Sequence, residues 1–178
     1  MTANAFDGMA QEYDAAFTAT RLGRVLREMV WERYESRFAG RERLLEIGCG
    51  TGEDAVHLAR RGHQVFATDA SEEMVRVARY KAEHAGVAHR IQFLCAPMES
   101  LGHELAGMRF DGVYSNFGAL NCAAYLQTLS AELARHLAPG APLVFVVMGR
   151  HVLWEWAWFL ARGEARKAFR RLSRGGVS

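Results

Sequence analysis

The stretch Glu46-Ile47-Gly48-Cys49-Gly50-Thr51-Gly52 sets glycine at every second position directly after a short apolar run. Lacking a Cβ, such residues can take positive φ and let a ligand lie against bare backbone. Asp69 follows 21 residues after Gly48, at the end of the next apolar run. A carboxylate there can accept both hydroxyls of a ribose. Apolar run, glycine turn, helix, apolar run and acid, in that order, describe a nucleoside pocket.

The charges around the turn say which nucleoside. A dinucleotide site uses G-x-G-x-x-G and rests its pyrophosphate on a helix N-terminus. Here the glycines run G-x-G-x-G, Glu53 and Asp54 begin the following helix, and Glu46 precedes the turn. Three acids favour a ligand with cationic groups beside its ribose over NAD or FAD. No Walker lysine is present, which disfavours ATP. S-adenosylmethionine, with a sulfonium and an ammonium, matches.

These residues need a scaffold. Apolar residues from Leu22 to Phe38 (Leu22, Leu26, Met29, Val30, Tyr34, Phe38) recur at helical spacing and predict an amphipathic helix ending near Gly40. Strands are predicted at Arg43–Ile47, Gln64–Thr68, Ile91–Cys95, Phe110–Ser115 and Leu143–Met148. Helices are expected over Glu53–Arg61, from the Ser71 N-cap to Gly86, and over Leu126–Leu137, which Pro139-Gly140 ends. A last helical stretch runs from Val152 to about Leu172, and the segment before Thr20 shows no period. Alternating strands and helices predict an α/β fold: a doubly wound, mainly parallel sheet with helices on both faces. The glycine turn then lies at the carboxyl edge of the sheet, where such folds bind ligands.

Residues Leu44–Glu53 and Ala67–Met74 resemble the first two motifs of class I S-adenosylmethionine-dependent methyltransferases. Phe110–Asn121 resembles that family's fourth strand and following loop, and Leu137–Val144 its turn into the fifth. The resemblance runs from about Phe6 into the tail. It implies a Rossmann-like methyltransferase fold and S-adenosylmethionine as cofactor, with S-adenosylhomocysteine as product. By position, Glu46, Gly48, Cys49, Gly50 and Gly52 would face the methionine end, and Asp69 the ribose. Ala70 and Met74 would flank the adenine, and Ala96, Pro97 and Met98 would close over it. Asn116 would meet the amino group through its backbone with Phe117 beside it, and Tyr13 matches a lid position. Family members often carry Asp at the place of Pro97, which Pro cannot replace as an adenine acceptor.

The implied reaction is methyl transfer to a small-molecule acceptor by in-line displacement, with no residue assignable as a general base. Tyr13, Asn121 and His151 are candidates to line the acceptor side. Ser115-Asn116-Phe117-Gly118 lacks the prolyl-prolyl-aromatic motif of amino-group DNA methyltransferases, so nucleic-acid bases are disfavoured and no nucleic-acid partner is expected. Cys49 reads as a small turn residue and His57 as a packed histidine. The family has seven strands and the pattern here yields five. The expectation is therefore a sheet lacking the last two, in a truncated chain or one whose open edge is completed by self-association. Rival readings are a truncated, non-catalytic adenosylmethionine-binding module, an NAD-dependent oxidoreductase, and a membrane- or RNA-associated adaptor acting through the basic tail.

Composition agrees with a single cofactor-binding domain. The chain has 178 residues, 50% hydrophobic and 24% charged, with only three prolines. Residues 1–150 carry 16 basic and 18 acidic side chains, while 151–178 carry six basic against two acidic. The expected organisation is a core over 1–150 with an N-terminal helical lid, and a Trp- and Arg-rich tail over 151–178 belonging to the same domain. No apolar run reaches membrane-spanning length and no leader pattern opens the chain. Three widely spaced cysteines without C-x-x-C suit reduced thiols in a cytoplasm, and no metal site is expected.

Overall fold

The computed structural model describes residues 10–123, 125–149 and 153–168. It divides into two compact units, one ending at Val147 and the other beginning at Met148. In the first unit, α1 (Ala10–Tyr13) continues as a π-helical turn over Asp14–Thr18 and is followed by α2 (Arg21–Phe38). Then come β1 (Arg43–Ile47), α3 (Glu53–Arg60), β2 (Gln64–Asp69), α4 (Glu72–His84), β3 (Ile91–Cys95), α5 (Leu101–Glu104), β4 (Gly112–Ser115), α6 (Leu126–His136) and β5 (Leu143–Phe145).

The five strands form one parallel sheet in the order β3-β2-β1-β4-β5. Strand order reverses between β1 and β4, which opens a crevice above their carboxyl ends. Period-2 alternation sends Leu44 and Tyr114 to one face and Leu45, Ile47 and Val113 to the other. The first face packs on α2, α3 and α4 through Tyr34, Phe38, Val56, Leu58, Val75 and Ala78. The second packs on α5 and α6 through Leu101, Leu105, Leu129 and Leu133. Helices on both faces bury the sheet from each side, as the alternating pattern requires. Tyr34, Phe38 and Tyr114 form an aromatic trio with centroids 4.8 to 5.8 Å apart. Each such ring contributes about 1.5–3 kcal/mol by burial.

Several elements differ from their sequence signals. In α2 the face turned inward carries Gly23, Arg27, Tyr34 and Phe38, while Leu22, Leu26 and Met29 are exposed. Tyr34 and Phe38 of the apolar period do pack inward, and on the same face Arg27 reaches the carboxylate of Asp54. β4 begins at Gly112 instead of Phe110, because the Asp111 side chain turns aside to accept the N–H groups of Glu42 and Arg43. Phe110 keeps only an isolated bridge to Leu137. β5 stops at Phe145, although the Val146 N–H still bonds to Ser115. The segment before Thr20, with no sequence period, is helical from Ala10.

In the second unit the expected single helix is two, α7 (Leu153–Ala161) and α8 (Ala165–Ala168). Gly163, at φ 73°, ends the first. The Arg162 guanidinium stacks on the Trp158 ring at 3.7 Å, so basic and aromatic residues interleave rather than segregate. No helix among the described residues is long and apolar enough to cross a membrane.

Candidate active site

The turn after β1 is built by three left-handed glycines with different surroundings. A Cβ at Gly48 (φ 72°) would strike the Ala119 side chain, and one at Gly52 (φ 76°) would come within 2.7 Å of the Ala78 Cβ. These two let the loop after β4 and helix α4 approach the turn. Gly50 (φ 51°) is different: a Cβ there would meet nothing within 4 Å. Its backbone is bare toward open space, the condition for a ligand to lie against it. The residues present therefore fit an adenosyl ligand at this turn.

Asp69 closes the same corner. Its Oδ2 accepts the Gly50 N–H at 2.8 Å and its Oδ1 the Ser71 N–H at 2.9 Å. A carboxylate at this position is an acceptor of the kind a ribose hydroxyl needs. Ser71, not Asp69, caps α4 by accepting from the Met74 N–H. The Ala96 N–H donates to the Asp69 carbonyl, which ties β3's exit to the same corner. Ala70 and Pro97 are exposed there, Met74 and Ala96 are buried, and the half-buried Met98 reaches toward Gly48.

The acids beside the turn are not the open ring that their spacing suggests. Asp54 Oδ1 accepts from Arg27 Nη1 and from Trp31 Nε1, each at 2.7 Å, and its Oδ2 accepts from Asn116 Nδ2 at 2.7 Å. Glu53 is held by Lys81 at 2.8 Å. Glu46 is 2% exposed and accepts from the Tyr114 hydroxyl at 3.1 Å. Its burial, with the charge of Asp54 adding, pushes the carboxyl well above its usual range, toward the neutral form. The charge argument for a cationic ligand is narrowed accordingly: Arg27 offsets Asp54, burial favours the neutral form of Glu46, and Glu53 shares the single cation Lys81 with Asp14. Arg27 and Lys81 carried no sequence signal for this role, because their partners lie 27 and 28 residues away.

The N-terminal segment lies over this ground. Asp14 accepts from the Thr51 hydroxyl in the glycine turn and pairs with Lys81, each at 2.7 Å. Burial pushes the Tyr13 hydroxyl above its usual pKa; the Arg27 charge opposes this and those of Asp54, Asp14 and Asp69 add to it. Phe17 meets Phe117 edge-on at 4.8 Å, and the Arg27 guanidinium lies 4.7 Å from the Phe117 ring centre. Phe117 stands at φ 47°, alone among the described non-glycine residues in the left-handed region. That strain, about 1–3 kcal/mol, is held by Asn116, whose Oδ1 accepts the Phe117 N–H.

Cys49 is buried, and desolvation pushes its thiol well above the usual range, which disfavours the thiolate. His57 stacks on Trp31 at 3.8 Å and bonds Glu35, as a packed histidine does. Asn121 sits in the 3₁₀ turn Ala119–Cys122, and its N–H bonds back to Gly118. His151 lies outside the described residues. Among the described residues no cluster of His, Cys, Asp and Glu could hold a metal ion.

Residues 44–140, which hold the glycine turn, Asp69 and the loop after β4, match the methyltransferase domain family. The chain belongs to the class I S-adenosylmethionine-dependent methyltransferases. Among relatives of this chain, demethylmenaquinone methyltransferase of Thermus thermophilus is 35% identical over 144 residues, covering 78% of this chain and 62% of that protein. The tRNA 5-carboxymethoxyuridine methyltransferase of Escherichia coli is 31% identical over 103 residues, covering 55% and 40%. Among solved structures, the [4+2]-cyclase SpnF superposes with a TM-score of 0.57 at 28% identity, covering 65% of this chain and 43% of that one. The chain thus spans less than two thirds of the length of each.

Proposed function

We propose that this methyltransferase domain binds S-adenosylmethionine over the carboxyl edge of β1, β2 and β3 and transfers its methyl group to a small-molecule acceptor. The observation that carries the reading is the Gly50–Asp69 corner, where a glycine turn with open space beside it is tied directly to the carboxylate that ends β2. Bound there, S-adenosylmethionine supplies a methyl group on a sulfonium, a good leaving group for attack by an acceptor lone pair.

The chain's own residues hold and enclose. Gly48, Cys49, Gly50 and Gly52 present backbone to the ligand, and Asp69 accepts from the ribose. Ala70, Met74, Ala96, Pro97 and Met98 flank the adenine, with Pro97 leaving the amino group to backbone. Asn116, Phe117 and the lid residue Tyr13 border the methionine end, which Glu46 supports from within the core. Orientation and exclusion of water supply the rate, worth up to about 7–11 kcal/mol in well-aligned systems. A small acceptor is supported by the 35% identical relative, which is named for demethylmenaquinone. A cytoplasmic setting suits the three free cysteines. Two copies would pair through β5, supported by its place at the end of the sheet and the exposed Leu143 and Phe145. A monomer mass in light scattering at high concentration rejects that pairing.

The test of function is thermal stability with S-adenosylhomocysteine. At 100 times its Kd, the ligand adds about 2.7 kcal/mol. Asp69→Ala should abolish the gain, and labelled methyl groups should pass to an acceptor panel. Stabilisation by NAD(H) alone rejects the reading. A second reading, a domain that binds the cofactor without transferring methyl, is favoured by the cyclase among its structural neighbours. Binding with no transfer across the panel supports it.

A further inference from the structure

The body's near-neutral charge hides a segregation. The connections that lead into the strands, residues 39–43, 60–63, 85–90, 105–111 and 137–142, carry Arg41, Arg43, Arg60, Arg61, Arg90 and Arg109 against only Glu42 and Asp111. The connections that leave β1 to β4, residues 48–53, 69–73, 96–100 and 116–125, carry five acids and neither arginine nor lysine. Basic residues at helix C-termini complement helix dipoles, which accounts for Arg60 and Arg61. It does not account for Arg43, the first residue of β1, for Arg109 before β4, or for Arg90 beside β3.

Arg43 and Arg90 border a hollow of about 270 Å3 at this edge. Its wall includes Gln64, His89 and Gln92, its apolar side includes Phe66, and no carboxylate lines it. The hollow exists because of register. Arg43 pairs with Gln64 across β1 and β2, and Phe66 with Gln92 across β2 and β3, so all four share one face of the sheet. Of the two helices on that side, α5, which follows β3, is a single turn, too short to cover the strand starts. Among the described residues no carboxylate pairs with Arg43 or Arg90. Arg43 lies 5.8 Å from the Phe110 ring centre, and Arg90 spends one nitrogen on the Gly62 carbonyl. Asp111, the nearby acid, is held by two backbone N–H groups.

We propose that this hollow, at the edge opposite the cofactor turn, binds a phosphate ester through Arg43 and Arg90. Two guanidiniums without carboxylate partners suit a phosphate's geometry, and the two glutamine amides offer hydrogen bonds to the group that the phosphate carries. The ester comes from a free nucleotide or from a single-stranded RNA backbone. The expectation of no nucleic-acid partner rests on the missing prolyl-prolyl-aromatic motif, which bears on base methylation at the other edge and not on phosphate contacts here. The site is independent of the methyl-transfer reading.

The test saturates the whole chain with S-adenosylhomocysteine, which fills the adenosine pocket, and titrates uridine monophosphate and octauridylate at about 20 mM salt. Binding should weaken with salt, with a slope near −0.7 per phosphate engaged on a single strand. Arg43→Gln and Gln92→Glu, both at exposed positions, should each weaken binding about fivefold at unchanged melting temperature. Arg43→Gln should also flatten the slope by about 0.7. Binding of the monophosphate identifies a free nucleotide, and binding of the octamer alone identifies a strand; either supports the site. No binding of either probe, or binding that both substitutions leave untouched, overturns it.

Discussion

Arg27 and Asp54 form an ion pair at 2.7 Å with both side chains more than nine-tenths inside the protein. Through it one carboxylate gathers α2, α3 and the loop after β4, since Trp31 and Asn116 donate to the same group. Asn116 in turn holds the strained Phe117. The pair therefore sets the loop after β4 as well as the fold.

Removing one partner should be far costlier than removing both. Asp54→Ala leaves a buried, uncompensated guanidinium and should cost about 3–5 kcal/mol in urea unfolding. Arg27→Met combined with Asp54→Leu should lose clearly less. Additive losses from the two single changes would show that the carboxylate and the guanidinium act independently.

The three glycines of the turn should separate into two kinds. Gly50→Ala meets only its own left-handed strain, about 1 kcal/mol, because nothing stands near the new methyl group. Its main effect should be on affinity for S-adenosylhomocysteine. Gly48→Ala and Gly52→Ala force Ala119 and Ala78 aside and should depress the melting temperature more. Equal melting temperatures and equal affinities across the three would refute the distinction.

Glu46→Gln should stabilise the protein increasingly as pH rises. Unfolded, this carboxyl loses its proton near 4.5, whereas in the fold burial raises that value well above. Above 4.5 the folded chain therefore holds a proton that the unfolded chain releases, and stability falls as pH climbs. Glutamine has no proton to lose. The melting-temperature gap between variant and parent should be near zero at pH 4 and widest at pH 8; a constant gap counts against a neutral Glu46.

Lys81→Met should loosen the N-terminal segment while sparing the core. Lys81 is partly exposed, so its ion pairs with Asp14 and Glu53 are worth about 1 kcal/mol or less to stability. The expected signature is faster release of S-adenosylhomocysteine and faster proteolysis within residues 10–20. Burial pushes the Asp14 carboxyl up, but hydrogen bonds from Lys81 and Thr51 outweigh it and hold it below 3.8. The latch's contribution is thus complete above pH 3.8 and is lost as pH falls through the lower folded value. Release rates in the parent that change between pH 5 and 8 would argue for a different latch.

Thiol labelling should distinguish the cysteines. Cys95 and Cys122 are exposed and Cys49 is buried with its thiol held protonated. Two thiols should react in the folded protein and the third only after denaturation; three fast thiols would place Cys49 in reach of solvent.

The sequence conveyed what is local or periodic. The strand–turn–helix at Glu46–Glu53, the acid after β2 and the Ser71 cap are set by neighbours in the chain, and each stands where its pattern put it. The inward face of α2 was only partly legible: Tyr34 and Phe38 are buried as their spacing suggests, but apolar residues lie on both sides of the helix, and the inward Arg27 is matched to a carboxylate 27 positions away. For the same reason a sequence could not tell that Asp54 is spent inside the fold: proximity to a glycine turn gives charge, not its partner. Lys81 and the Arg43–Arg90 hollow depend on which strands lie side by side, which only the sheet order supplies.

Asn116 reaches across 62 positions of chain to the helix that follows the glycine turn. Anyone grafting a foreign loop after the fourth strand to change what this scaffold accepts must therefore carry that amide along. Otherwise the transplant would cut the tether between that loop and the helix behind the glycine turn, and the chimera would fail for mechanical rather than chemical reasons.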